Sequence, residues 1–272
     1  MKDFRNKVVV ITGAASGIGR ALAVEFSKRG ARLAISDMNE TGLARTKAKL
    51  TGSGHYSETL DVADRTAFYA HADNVVREMG QVDIVINNAG VAVSETVEHT
   101  SYEDFEWIVG INFWGVVYGT KAFLPHLKRA DEGWVVNISS LFGLIGIPTQ
   151  GAYNATKFAV RGFTEALQHE LRGSSTHAMS VHPGGIKTNI AANARFYRGI
   201  DGKQDGQKAV DAFARVARVT PEQAANTIID AIERKQQRLL IGKDAKLLDA
   251  VQRSMPSRYG AVVTKLLGMA MR

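Results

Sequence analysis

The chain has 272 residues, 45% of them hydrophobic and 22% charged, with a formal charge of +7. That is a globular balance, and the length suffices for a large buried core in one domain or two. The chain has no cysteine, which excludes disulfides, thiol nucleophiles and cysteine-ligated zinc and leaves the cytoplasm as the default compartment.

In chain order, Met1 to Lys7 run straight into the apolar residues Val8 to Ile11. That run is too short for a signal-peptide core, so no export is expected. Short β-branched runs then alternate with amphipathic helical patterns. Strands are predicted over 8–12, 32–36, 56–60, 83–87, 134–138, 178–182 and 238–241. Helices are predicted over 18–28, 41–50, 65–79, 102–111, 115–128, 152–171 and 221–233. Strands separated by helices argue for βαβ units, and the continuous apolar runs at Val8–Ile11 and Ile84–Ile86 suit parallel strands buried on both faces. The expected fold is therefore α/β: a doubly wound, Rossmann-type parallel sheet of about seven strands, with helices on both faces, over residues 1–242. The apolar stretch from Trp107 to Phe123 contains Asn112, Thr120 and Lys121. It reads as a buried helix, since spanning a bilayer takes about 20 apolar residues. Two segments break the rhythm. Residues 188–220 carry glycines, charges and a weak helical pattern over 209–219, and read as an insertion over a site. Residues 243–272 form a helical extension of the same domain, with Tyr259, Val262, Val263, Leu266 and Leu267 on one face.

The first strand ends in Thr12-Gly13-Ala14-Ala15-Ser16-Gly17-Ile18-Gly19. Glycines permit a tight turn and a close backbone approach, and a helix N-terminus favours a pyrophosphate. The spacing is Gly-x3-Gly-x-Gly rather than the usual Gly-x-Gly-x2-Gly. Asp37 ends the second strand, where a carboxylate binds adenosine ribose hydroxyls and repels a 2′-phosphate. No arginine stands beside it in Met38-Asn39, so NAD is favoured and NADP is not excluded. The competing reading makes Asp37 a helix N-cap.

Tyr153 and Lys157 stand four apart at the start of a helix and so share a face. A free phenol titrates near pH 10, and an adjacent ammonium and an oxidised nicotinamide ring would both lower that value toward working pH. Three further strand ends bring polar or glycine-rich loops to the same sheet edge: Asn87-Asn88-Ala89-Gly90, Ser139-Ser140, and His182-Pro183-Gly184-Gly185-Ile186-Lys187-Thr188. Ligands of parallel sheets bind at that edge. The seven histidines show no metal-ligand spacing, so no metal is assigned. His182 is expected to pack at a strand end.

Over residues 5 to 242 these motifs, with Asp61-Val62 and Asn112, resemble the compact single-domain branch of the short-chain dehydrogenase/reductase family. The resemblance implies an NAD(P)-dependent alcohol dehydrogenase or ketoreductase. Tyr153 would be the general acid or base on the substrate oxygen, and Ser140 would hold that oxygen. Lys157 would bind the nicotinamide ribose and lower the Tyr153 pKa. Asn112 would bend its helix and hold a relay water. Gly13, Ser16, Gly17, Ile18 and Gly19 would cradle the cofactor, with Asp37 on the ribose and Asp61 and Val62 flanking adenine. Asn87, Asn88, Ala89 and Gly90 would line the adenosine side, and Ile186 and Thr188 would touch the carboxamide and phosphates. The stretch 107–123 and the helix 152–171 resemble the family's subunit-pairing helices, which implies a homotetramer or homodimer.

On this reading a secondary alcohol and a ketone or aldehyde are interconverted by hydride transfer. Residues 188–220 would be a substrate lid. Leu141, Phe142, Leu144, Ile147, Val91, Val93, Ile190, Phe196 and Tyr197 suggest a lipophilic or bulky small-molecule substrate. The tail is expected to pack on a neighbouring subunit, to roof the pocket, or to contact a membrane peripherally beside Lys265 and Arg272, in that order. The basic residues are spread along the chain without an aromatic platform, so no nucleic-acid partner is expected. Two rivals stay open. One is a non-catalytic nucleotide-sensing module, against which the complete Asn112, Ser140, Tyr153 and Lys157 set weighs. The other is a sugar-nucleotide epimerase or dehydratase, against which the glycine spacing and the missing large C-terminal domain weigh.

Overall fold

The structure is a computed structural model and describes residues 1–200 and 202–263. In chain order the first half contains β1 (Val8–Thr12), α1 (Gly17–Lys28), β2 (Arg32–Asp37), α2 (Glu40–Lys47), β3 (Tyr56–Thr59), α3 (Arg65–Met79), β4 (Ile84–Asn87) and β5 (Val93–Ser94). Next come α4 (Tyr102–Val109), a π-helical turn (Gly110–Trp114), α5 (Gly115–Leu127), β6 (Gly133–Ile138) and α6 (Gly151–Glu170). The chain continues through β7 (Thr176–Pro183), β8 (Arg195–Phe196), α7 (Gly206–Val216), α8 (Pro221–Glu233), β9 (Arg238–Ile241) and α9 (Lys243–Ser254).

Seven strands form one parallel sheet in the order β3-β2-β1-β4-β6-β7-β9. Successive strand side chains point to opposite faces, so β1 feeds two cores. Val9 and Ile11 pack with Leu22 and Phe26 of α1 and Ile228 and Ile232 of α8. Val8 and Val10 pack with Phe68 and Val75 of α3, Phe123 of α5 and Leu167 of α6. The chain winds outward from β1 to β3 and then returns to β4 on the other side of β1. The C-terminal ends of β1 and β4 therefore flank the switch point at which such sheets bind ligands.

Four local differences from the sequence reading have physical causes. The helices expected over 102–111 and 115–128 are one continuous path, because the π-turn bridges them instead of a gap. The helix expected over 41–50 stops at Lys47 and starts from Asn39, whose side chain accepts the Gly42 N–H at 2.8 Å. The helix expected over 209–219 is α7, set three residues earlier by the Asp205 cap on the Lys208 N–H at 3.0 Å. The two-residue strands β5 and β8 pair in parallel apart from the main sheet, too short to leave a periodic signal.

Beyond α9, residues 259–263 are again helical and lie against the chain's own loop after β6. Of the predicted apolar tail face, Leu266 and Leu267, like Lys265 and Arg272, lie outside the described residues. No helix among the described residues is long and apolar enough to cross a membrane.

Candidate active site

The glycine turn is built by close approach. Gly13 has φ +67°, and a Cβ there would lie 2.7 Å from the Cα of Ala89. A Cβ on Gly19 would run into the Gly13 carbonyl oxygen and the Asn88 side chain. Asn88 stitches the two strand ends together: its amide donates to the carbonyls of Thr12 and Gly13 at 2.9 and 3.1 Å. Thr12 Oγ1 answers by accepting the N–H groups of Asn88 and Ala89, each at 3.1 Å. Thr12 and Asn88 lie within the two motifs read from the sequence, but their bonding to each other spans 76 residues and leaves no mark in the spacing. Ser16 caps α1 without spending its exposed hydroxyl on the helix, and the first amides of a helix are donors in search of an acceptor. From the opposite side, the Thr188 methyl comes within 3.2 Å of where a Gly17 Cβ would stand. A glycine turn with no room for side chains and an unspent serine at a helix N-terminus fits a dinucleotide's pyrophosphate.

Asp37 is not the cap of α2; Asn39 is. The Asp37 carboxylate instead accepts the Ala15 N–H at 2.9 Å and the Asn39 N–H at 2.8 Å, which fixes it beside the glycine turn. Each carboxylate oxygen has further acceptor capacity for a ribose hydroxyl. Asp61 is exposed past the end of β3, accepting the Ala63 N–H at 2.9 Å, and Val62 is buried against Gly115. Asn87 faces the other way. Its side chain is buried between β4, β6 and α5, donating to Asn137 Oδ1 at 2.8 Å and Thr120 Oγ1 at 3.2 Å, so the structure does not bring it to the turn. Asn88 occupies the place expected for it.

At the other end of the crevice, α6 carries Tyr153 and Lys157, 8% and 3% exposed. The Ser140 side chain stands beside the Tyr153 phenol, and its hydroxyl accepts the Phe142 N–H at 3.1 Å. Lys157 Nζ donates to the Ile138 carbonyl at 3.0 Å and lies 5.7 Å from the centre of the Tyr153 ring. A Cβ on Gly90 would stand 3.4 Å from Lys157 Nζ and 3.3 Å from Asn112 Oδ1, so this glycine lets three chain segments meet. Asn112 sits fully buried within the π-turn. Its amide clamps the Val91 backbone, accepting the N–H at 2.8 Å and donating to the carbonyl at 2.9 Å, with a further bond to Thr156 Oγ1 at 3.2 Å. Ile186 is buried and pairs with Val219.

The expected acidification draws on the ammonium and the nicotinamide charge together; the chain's own residues act the other way. The phenol of Tyr153 is raised above its ordinary value by burial, with the Ser140 hydrogen bond pulling the other way. Burial also lowers Lys157, from 10.5 to about 8. The ammonium that was to acidify the phenol is itself destabilised by the same dry surroundings, and desolvation of both groups wins. The protein alone therefore holds a protonated phenol. Between pH 8 and 10.5 the unfolded chain keeps a proton on Lys157 that the folded chain has released, so stability rises with pH across that window. Relative to Lys157→Met, the wild-type protein is expected to gain on the order of 3 kcal/mol between those limits. Denaturant midpoints of both proteins measured across the window check it, and a constant gap rejects the buried ammonium.

Two residues that support the site were not assigned from sequence. Asn154 donates to the carbonyls of Phe142 and Ile145 at 2.7 and 2.9 Å and accepts the Ile147 N–H at 3.1 Å, shaping the loop after Ser140. His182 is fully buried at its strand end, as expected of packing, but it also bonds the Ser140 carbonyl through Nδ1 at 3.1 Å and Ser180 Oγ through Nε2 at 2.7 Å. A carbonyl only accepts, so Nδ1 carries the proton. Burial lowers its pKa to about 4, which keeps the ring neutral in that role.

Apolar side chains surround the Tyr153 ring: Val93, Ile108 and Ala152 cluster with it, and Val91, Trp107 and Ile190 pack against them. Segment 188–220 is held beside this cluster at its start. Arg195 pairs with buried Asp104 at 2.7 Å and lies 3.8 Å over the Trp107 ring, and Arg198 pairs with buried Glu95 at 3.2 Å. Among the described residues, no group of three or more His, Cys, Asp or Glu side chains could hold a metal ion.

A family model described as short chain dehydrogenase matches residues 7–197. A Mycobacterium tuberculosis protein named as an oxidoreductase, SadH, is 48% identical over 97% of this chain and 96% of its own length. Cyclopentanol dehydrogenase of Comamonas is 36% identical over 69% of this chain and 76% of its own. The crystal structure of a short chain dehydrogenase/reductase from Burkholderia phymatum in complex with NAD superposes with a TM-score of 0.86 at 28% identity, covering 94% of this chain and 95% of that one. A Rossmann-type sheet, a matched family model and a full-length relative at this identity agree: the chain is an oxidoreductase-fold protein that belongs to the short-chain dehydrogenase/reductase family.

Proposed function

We propose that the protein interconverts a lipophilic or bulky secondary alcohol and its ketone, using NAD in preference to NADP. The observation that carries this reading is a buried phenol beside Ser140 and Lys157, set in an apolar cluster at the sheet's ligand edge. The glycine turn, Ser16 and Asp37 would hold a nicotinamide dinucleotide, with Ala89, Gly90, Ile186 and Thr188 along its path. When bound, that cofactor supplies the two-electron exchange with the substrate carbon.

The chain's own residues move the proton and set the geometry. Tyr153 Oη gives its proton to the ketone oxygen in reduction and takes the hydroxyl proton in oxidation. Ser140 Oγ holds the same oxygen by hydrogen bonding and so aligns it with the phenol. Lys157, held by the Ile138 carbonyl, binds ribose hydroxyls and replenishes the proton of Tyr153. Asn112 keeps Val91 and the Ala89–Gly90 backbone in place while its π-turn opens the helix. The apolar walls exclude water from the exchange. A panel of secondary alcohols and ketones of increasing size, followed with NAD, NADP and their reduced forms, tests the reaction, and no turnover with any of them rejects it.

Asp37 supports the cofactor preference, because its anchored carboxylate would face a 2′-phosphate of like charge. The expected result is a kcat/KM for NAD that exceeds that for NADP by about tenfold or more, with the gap shrinking in Asp37→Ala. A wild type that prefers NADP refutes the preference.

A homo-oligomer belongs to the same reading. Trp114 at the end of the π-turn and Phe158 on α6 are 46% and 40% exposed on the helices that resemble pairing elements. Sedimentation of the purified protein decides between monomer, dimer and tetramer.

A further inference from the structure

The C-terminal segment reaches the active site of its own chain. Val263 is 3% exposed, packed in one cluster with Leu141, Leu144, Ile145 and Ile147 of the loop after Ser140. Tyr259 packs against the same cluster, and its hydroxyl accepts the Gly146 N–H at 3.2 Å. Ile200, from segment 188–220, joins them. Phe142 belongs both to this cluster and to the one around Tyr153, whose ring it meets edge-on with centroids 6.1 Å apart. The loop is thus held from two sides. Asn154 fixes it from α6 through three hydrogen bonds, and the C-terminal segment fixes its outer side through a buried valine and a tyrosine hydroxyl.

We propose that Tyr259 and Val263 are specificity-determining positioning residues, which clamp the Leu141–Ile147 loop and thereby set the Phe142 wall of the substrate pocket. The inference rests on the reaction proposed above and deepens it by naming what shapes the pocket. Neither residue touches the phenol or the glycine turn. Loosening the clamp costs a substrate its apolar wall in ground state and transition state alike, and loss of such uniform binding raises KM while leaving kcat in place. Only substrates large enough to lie against Phe142 depend on that wall. Small ketones feel no change.

The test uses the full chain with the conservative substitutions Tyr259→Phe and Val263→Ala. Tyr259→Phe keeps the ring and removes the acceptor of a single net-modest hydrogen bond, so amide exchange at Gly146 is expected to quicken by roughly two- to tenfold. In both variants the KM for a bulky apolar ketone is expected to rise by about five- to tenfold. The kcat, and the KM for the smallest ketone turned over, are expected to stay at wild-type values. Unchanged exchange over residues 141–147 in both variants overturns the clamp, whatever the enzyme turns over. Faster exchange with an unaltered ratio of bulky to small KM overturns the specificity role. A wild type inactive on every ketone removes the proposed reaction, and the specificity role with it, while the exchange measurement still reads the clamp on its own.

Discussion

Replacing Tyr153 by Phe is expected to lower turnover by about a thousandfold, while dinucleotide affinity stays near its wild-type value. The ring fills the same volume against Phe142 and Lys157, so its packing survives. What disappears is the buried hydroxyl beside Ser140. Burial keeps that phenol protonated in the protein alone, so the group stands ready as an acid toward a ketone oxygen. Acting as a base toward an alcohol requires the positive charges that a bound oxidised nicotinamide and a protonated Lys157 bring to it. The reductive direction should therefore run at lower pH than the oxidative one. Steady-state rates in both directions, with a separate measurement of cofactor binding by fluorescence quenching, check these points. Appreciable turnover in Tyr153→Phe removes the proton-transfer role.

Gly19→Ala is expected to abolish measurable dinucleotide binding and to lower stability by about 1–3 kcal/mol. The new methyl would run into the Gly13 carbonyl oxygen and the Asn88 amide. Neither can retreat cheaply. The Gly13 carbonyl accepts from Asn88, and Asn88 is tied by its own N–H to Thr12 Oγ1, so displacement would spread to the Ala89–Gly90 backbone and the far wall of the cleft. Calorimetric titration with NAD and a thermal melt separate the binding defect from the folding defect. Normal affinity in this variant shows that the turn is not the pyrophosphate cradle.

The elements bearing the chemistry were legible because their signals are local. Buried parallel strands need unbroken apolar runs, which Val8–Ile11 and Ile84–Ile86 supply. A helix brings residues four apart to one face, so Tyr153 and Lys157 could be paired from spacing alone. The supporting residues were not legible, since each acts through a partner distant in sequence. Asn88 reaches Thr12, His182 reaches the Ser140 backbone, and Arg195 reaches Asp104. Asn87 and Asn88 show the limit most sharply. Adjacent strand residues point to opposite faces, yet only the packing of β4 between β1 and β6 decides which of two identical amides enters the interior.

By itself the sequence determined the βαβ alternation, the glycine turn and the shared face of the reactive pair, because backbone sterics and side-chain periodicity act over a few residues. Tertiary structure decided the rest. It set the chain's own effect on the Tyr153 phenol, which is upward, since desolvation depends on everything packed around the group and not only on the ammonium four residues away. It gave the cap of α2 to Asn39, freeing the Asp37 carboxylate to face the glycine turn. It also laid Tyr259 and Val263 on the loop after Ser140, a contact across more than a hundred residues that only a folded core can specify.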